Sequence, residues 1–163
     1  MNESLKAADA VWIATAILQR DAPESDFSVL KIVDRAMSER LTEKPRTTIY
    51  LHVNQHCVAN RPPNTARLRM LVETPSGNRR LFHQGDEYHP LRENARILPE
   101  PKDLPSKYRS LLTWYQEWSA AHTKSWEETD PLMRLVGSGK HLWKDESGDE
   151  FLARLRSNWG GVA

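Results

Sequence analysis

The order of the hydrophobic patterns over residues 5–83 limits the fold of this chain more than any other feature of the sequence. Three helical patterns come first, over residues 5–20, 26–41 and 45–57, and a strand–turn–strand pattern follows over residues 68–83. Apolar residues at three- and four-residue spacing indicate helices, and partial alternation around turn residues indicates a hairpin. The sequence therefore predicts an α+β domain with three helices followed by a two-stranded ribbon.

The first two helices are predicted from their apolar faces. Residues 5–20 are apolar on most sides, which is typical of a largely buried helix. Asp26 is the predicted N-cap of the second helix, because a carboxylate there can accept from the first free amides. The predicted core stripe of that helix consists of Leu30, Val33, Met37 and Leu41.

The third helix, which Pro45 is expected to open, has two chemically different faces. Ile49, Val53 and Cys57 recur every four residues and are expected to face the core. On the other face, Asn and Gln can pair with adenine edges, and Thr or Leu can contact the thymine methyl group. An ordinary solvated helix face is the alternative. The candidate base-reading residues are Arg46, Thr47, Thr48, Tyr50, Leu51, Asn54 and Gln55.

The predicted hairpin consists of residues 68–74 and 79–83, with Gly77 and Asn78 supplying the turn. Three helices followed by such a hairpin is the layout of a winged helix-turn-helix domain. In that fold the third helix enters the DNA major groove and the hairpin, called the wing, rests on the backbone. The candidate phosphate contacts are Arg67, Arg69, Arg79 and Arg80, the last two just beyond the tip of the wing.

The charge distribution supports this interpretation better than the net charge, which is only +1. Residues 40–80 carry eight basic and two acidic side chains, a local charge of +6, whereas the flanking segments are slightly acidic. Phosphate contacts require a basic patch rather than a basic protein. The discriminating question is whether those basic side chains share one surface.

Bulk properties indicate a cytoplasmic protein. No apolar run approaches the length that crosses a bilayer, and the first residues lack the pattern of a secretory signal. Cys57 is the single cysteine and cannot form an internal disulfide, which fits a reducing compartment. We therefore expect no contact with a membrane.

The C-terminal third adds a helix and a tail. Tyr108, Leu111, Leu112, Tyr115 and Trp118 form a near-heptad stripe, which either packs on its own domain or forms a homodimer seam through residues 105–119. The predicted division is a DNA-binding domain at 1–98, a helical extension at 99–128 and a tail at 129–163. The tail has too few apolar residues for its own core, so it needs another surface.

Residues 6–92 resemble the winged-helix domains of bacterial and archaeal proteins of unassigned function, related in layout to the helix-turn-helix domain attached to some restriction endonucleases. The resemblance covers about half of the chain and points to a fold more than to a function. The matching segments are Trp12, Asp26-Phe27-Ser28, residues 46–49, residues 52–57, Arg67-Leu68-Arg69 and residues 85–90.

The tail resembles the toxin-binding C-terminus of antitoxins that are paired with PIN-domain ribonucleases. The match is carried by Asp130-Pro131-Leu132, Gly137-Ser138-Gly139-Lys140, Leu142-Trp143 and residues 149–159. It implies a DNA-binding autorepressor whose tail wraps a toxin and occludes its acidic metal site. Packing of the tail on its own domain is the alternative. The candidate partner-binding residues are Leu132, Leu135, Lys140, Leu142, Trp143, Phe151, Arg154, Leu155, Arg156 and Trp159.

Other functions are less favoured by the sequence. His52, His56 and Cys57 share a helix, but the paired cysteines of structural zinc sites are absent, so we expect no metal and no cofactor. We find no catalytic motif and expect no enzyme, although Asp34 with Glu39, or Asp86 with Glu87, could be considered for a nuclease. The main alternatives are a protein-interaction adaptor that binds no DNA and, second, a metal-dependent enzyme or nuclease accessory domain.

Overall fold

The computed structural model describes residues 5–123, which form an α+β unit. Short 3-10 turns occur at Pro90–Arg92 and Ser106–Tyr108. No helix in this part of the chain combines the length and apolar character that a membrane span needs. The predicted partner-binding residues, Leu132 to Trp159, lie outside the described residues.

The main elements are α1 (Ala7–Asp21), α2 (Val29–Ser38), α3 (Arg46–Leu51, continued by a π-helical turn at His52–His56), β1 (Leu71–Glu73), β2 (Arg79–Leu81) and α4 (Ser110–His122).

Helix α1 is the centre of the unit. Val11, Trp12 and Ile13 are completely buried, because α2, α3, β2 and α4 all contact this helix. Its buried carboxylate, Asp9, lies 2.8 Å from a guanidinium nitrogen of Arg96, and burial raises the pKa of Asp9. The prediction of a largely buried first helix is confirmed.

The N-cap of helix α2 lies two residues later than predicted. Ser28 is the N-cap, and its hydroxyl accepts a hydrogen bond from the amide of Lys31, so the prediction that Asp26 caps this helix is wrong. The buried stripe consists of Ile32, Val33 and Ala36. Leu30, which was expected in the core, is 56% exposed because it lies on the opposite side of the first turn.

Helix α3 follows the predicted pattern of burial. Ile49, Val53 and Cys57 are completely buried. Pro45 is the N-cap rather than the first helical residue, and its carbonyl accepts from the amides of the next turn. After Leu51 the helix widens into a π-helical turn, in which the Cys57 amide donates to the His52 carbonyl at 2.9 Å.

Strands β1 and β2 pair in antiparallel register, with Leu71 opposite Leu81 and Glu73 opposite Arg79. Gly77 has φ +81°, a left-handed conformation that suits glycine in the tight turn between them. Phe27, just before α2, exchanges two backbone hydrogen bonds of 2.8 Å with Arg79 and so extends the ribbon. The predicted hairpin is present, with shorter strands than expected.

Helix α4 packs on the unit to which it is joined. Tyr108, Leu111, Tyr115 and Trp118 are buried in the common core, and the Tyr115 hydroxyl donates to the Phe82 carbonyl. The stripe therefore packs on its own unit, the first of the two alternatives, and a homodimer through 105–119 stays a prediction. Internal contacts divide the chain after Thr123, so the first part of the predicted helical extension belongs with α1 to α3. The arrangement of helices and hairpin is compatible with a winged helix.

Candidate nucleic-acid interface

The N-terminal half of α3 presents a continuous exposed face. Arg46, Thr47, Tyr50 and Leu51 lie at helical spacing on the side opposite the buried Ile49, and they line a shallow groove. Tyr50 is 41% and Leu51 49% exposed. This face combines hydrogen-bonding groups with apolar surface, as contacts to base edges and thymine methyl groups require.

The C-terminal half of the helix is less accessible. Thr48, Asn54 and Gln55 are half-buried. The backbone carbonyl of Asn54 accepts from Arg61 at 3.2 Å and from Arg79 at 3.3 Å, and its side-chain oxygen lies 3.4 Å from Arg79 Nη2. The exposed part of the predicted base-reading face is therefore concentrated in the first two turns.

Arg46 forms an ion pair across to α2. Its Nη2 lies 2.6 Å from Oδ1 of Asp34, and both side chains are more than half exposed. An exposed pair of this kind contributes between zero and about 1 kcal/mol, so other anions can compete for the arginine.

Arg79 does not lie where the sequence predicted. It is 1% exposed, and its guanidinium donates to the carbonyls of Val53, Gly77, Asn78 and Asn54. Glu73 Oε1 lies 3.3 Å from Nη1, while burial lowers the pKa of the arginine. The prediction that Arg79 extends from the wing to phosphate is wrong, because this side chain turns back to the end of α3.

Arg80 is also held within the protein. It forms a bidentate pair with Asp86, at 2.7 and 2.8 Å, and donates to the Leu81 carbonyl. The same carboxylate accepts from the amide of His83. With 27% of its side chain exposed, Arg80 can reach a phosphate only by giving up part of this network.

Two further arginines, Arg61 and Arg92, organise this region, although the sequence did not indicate them as site residues. Arg61 pairs with Glu73 on β1 at 2.5 and 2.7 Å. Arg92 is completely buried, and all its donor nitrogens bond to carbonyls, including those of Gln55 and His56. The sequence shows that this region is rich in arginine. The number of arginines does not show which of them are structural and which bind a ligand.

The remaining basic residues of 40–80 have no ion-pair partner among the described residues. Arg40, Lys44 and Arg67 are exposed, and Arg40 adopts a positive φ of 51° just after α2. The guanidinium of Arg69 lies 4.4 Å from the ring centroid of Tyr88, a cation–π contact. About half of the predicted basic patch is therefore available to an anionic ligand.

The histidine cluster has structural contacts. His52 Nδ1 lies 2.8 Å from the Thr48 carbonyl oxygen, burial lowers the pKa of His56, and burial raises the pKa of the Cys57 thiol to about 12. Among residues 5–123, no group of three His, Cys, Asp or Glu side chains is arranged to hold a metal ion. Because the raised pKa keeps the Cys57 thiol protonated, this side chain is a poor metal ligand.

Three of the four carboxylates considered for a nuclease are paired with other groups. Asp34 lies beside Arg46, and Asp86 binds Arg80. Glu39 accepts from the Tyr108 hydroxyl at 3.2 Å.

No family model matches the chain, and neither the curated proteins nor the solved structures provide a match.

Proposed function

We propose that this chain is a cytoplasmic transcription regulator whose N-terminal unit is a winged helix that binds duplex DNA. The observation that carries the proposal is the exposed face of Arg46, Thr47, Tyr50 and Leu51 on the helix that precedes the hairpin. A helix of this kind enters the major groove with its N-terminal residues toward the base edges. Arg46 and Thr47 are accordingly the leading candidates for base contacts.

Because Arg79 is buried and Arg80 is paired with Asp86, the hairpin is expected to contribute little to phosphate binding. Phosphate contacts fall to Lys44, Arg40 and Arg67, which are exposed, because Arg46 is paired with Asp34 and is assigned to a base edge. Each phosphate neutralised contributes about 0.9 to the slope of log affinity against log salt. Three such contacts give an expected slope of about 3, lower than if the whole 40–80 segment bound phosphate.

We further propose that the tail acts as an antitoxin arm. Its support is the sequence resemblance of residues 130–159 to the toxin-binding ends of antitoxins. The partner is then a protein toxin, most simply a PIN-domain ribonuclease, and the regulator represses its own operon. Trp143 and Trp159 are the proposed anchors, since aromatic residues commonly dominate binding energy at interfaces.

A second candidate is a protein-interaction adaptor that does not bind DNA. It is favoured by the exposed apolar side chains of Leu30, Tyr50 and Leu51 and by the internal pairing of Arg61, Arg79 and Arg80. An apolar surface with few free charges is typical of the centre of a protein–protein interface.

Matched substitutions in the full-length protein separate the two functions. Thr47→Ala on α3 is compared with Thr113→Ala on α4, since both residues are exposed. Leu51→Ala is compared with Leu91→Ala, also exposed. We expect the α3 variants to weaken binding to duplex DNA from upstream of the protein's own gene by about tenfold each, with unchanged thermal midpoints. Equal DNA binding by all four variants would favour the adaptor.

A further inference from the structure

Asp34 is an unexpected residue on a surface proposed to face DNA. It lies on α2, is more than half exposed, and directs a carboxylate oxygen to within 2.6 Å of Arg46 Nη2 at the start of α3. A carboxylate near the phosphate backbone opposes binding to every DNA sequence, because both groups are negative.

The ion pair between Asp34 and Arg46 contributes little to the stability of the fold. With side-chain exposures of 51% for Arg46 and 63% for Asp34, the pair is screened by water and contributes about 1 kcal/mol at most. The consequence of the contact is geometric, since it restrains a long side chain that would otherwise sample many rotamers.

We propose that Asp34 is a positioning residue that holds Arg46 for the recognition of one guanine; this inference rests on the proposed DNA-binding function. The arginine has five N–H donors in a planar fork. Asp34 lies against Nη2 of this fork. The bidentate contact that arginine makes with O6 and N7 of guanine uses two adjacent donors of the same fork.

The same contact selects base over phosphate. Asp34 cancels much of the charge of Arg46, so an approach of the pair to the backbone gains little Coulomb energy. Paired hydrogen bonds to guanine depend on the direction of the fork more than on its net charge. Removing the carboxylate should therefore increase general affinity while decreasing discrimination, a combination that a merely structural role would not produce.

The test uses the full-length protein and a preferred duplex obtained by selection from random sequence. Dissociation constants are measured for that duplex and for each single-base-pair variant of it, with wild type, Asp34→Asn, Arg46→Ala and the double variant. Glu117→Gln, an exposed acid on α4, is the control.

We expect Asp34→Asn to reduce discrimination at one G·C pair by about fivefold to tenfold, to strengthen binding to unrelated DNA, and to increase the salt slope by about 1. Arg46→Ala should remove the preference at that same pair, and the double variant should match it. Discrimination that is unchanged in Asp34→Asn would overturn the proposed role of Asp34 and leave the proposed DNA binding intact. The same conclusion follows if Asp34→Asn has as large an effect in the Arg46→Ala background as in the wild type. If wild type shows no sequence preference, the proposed function fails together with this inference.

Discussion

Arg92 Nη1 donates to the carbonyl oxygen of His56 at 2.8 Å, although Arg92 follows that residue by 36 positions. The last carbonyls of a helix have no partner within it and carry a partial negative charge. Arg92 supplies donors to Gln55 and His56, and Arg79 supplies donors to Val53 and Asn54. Two buried guanidinium groups thus close the end of α3 and join it to the hairpin and the following loop.

The first prediction concerns Arg92. Replacement by Ala should lower the free energy of unfolding by at least about 3 kcal/mol, because several buried carbonyls would lose their donors. Arg92→Lys should recover only part of this, since an ammonium group cannot reproduce a planar fork. Urea denaturation measures both, with the exposed Arg67→Ala as the control, which should change stability by about 0.5 kcal/mol or less. Similar losses for Arg92→Ala and Arg67→Ala would contradict the capping role.

The second prediction separates Arg79 from Arg80. Arg79→Ala should decrease stability by about 2 to 4 kcal/mol, whereas Arg80→Ala, which breaks a partly exposed pair, should cost about 1 kcal/mol. Neither change should reduce the salt slope of DNA binding when measured at a temperature where the variant is folded. A decrease of about 2 in the double variant would instead place both side chains on phosphate.

The third prediction concerns acid. Asp26 accepts from Thr74, Ser76 and Asn78 in the turn of the hairpin, and these bonds lower its pKa from 3.8 to about 2. An acid whose pKa is lowered by folding stabilises the protein above its unfolded pKa, and this contribution is lost as pH falls toward the folded value.

The measurement is the difference in thermal midpoint between wild type and Asp26→Asn. It should be constant above about pH 5 and should shrink as pH falls from about 4 to about 2. Ser76→Ala removes one donor to Asp26. In the Ser76→Ala background, replacing Asp26 by Asn should therefore change the thermal midpoint by a smaller amount, but not by zero. A difference independent of pH would show that the carboxylate charge does not stabilise the turn.

Helix periodicity predicted much of this fold, but it did not predict side-chain partners. Ile49, Val53 and Cys57 are buried as their spacing indicated. Leu30 was misplaced because the buried face of α2 is formed by Ile32, Val33 and Ala36, and Leu30 lies away from that face. Arg79 was misplaced because the positive charge that attracts phosphate is equally attracted to the carbonyls at the end of a helix, and sequence does not distinguish these partners.

The fourth prediction concerns the tail. A variant that ends at Glu128 retains the whole buried core of residues 5–123, so it should keep its DNA binding and its thermal midpoint within about 2 °C. It should lose binding to the proposed toxin partner. The matched substitution is Trp143→Ala with Trp159→Ala in the full chain. A large drop in midpoint on truncation, with no partner bound by the intact protein, would assign the tail to the core instead.

The most direct test of DNA recognition by α3 is a salt titration of the full-length protein on duplex DNA from upstream of its own gene. Fluorescence anisotropy between about 50 and 200 mM salt gives the slope, and a shuffled duplex of the same composition gives the specificity. We predict a slope of about 3 and at least about a hundredfold preference for the native sequence, lost largely in Arg46→Ala with Thr47→Ala. Binding that is absent, or equal for the two duplexes, would contradict the account.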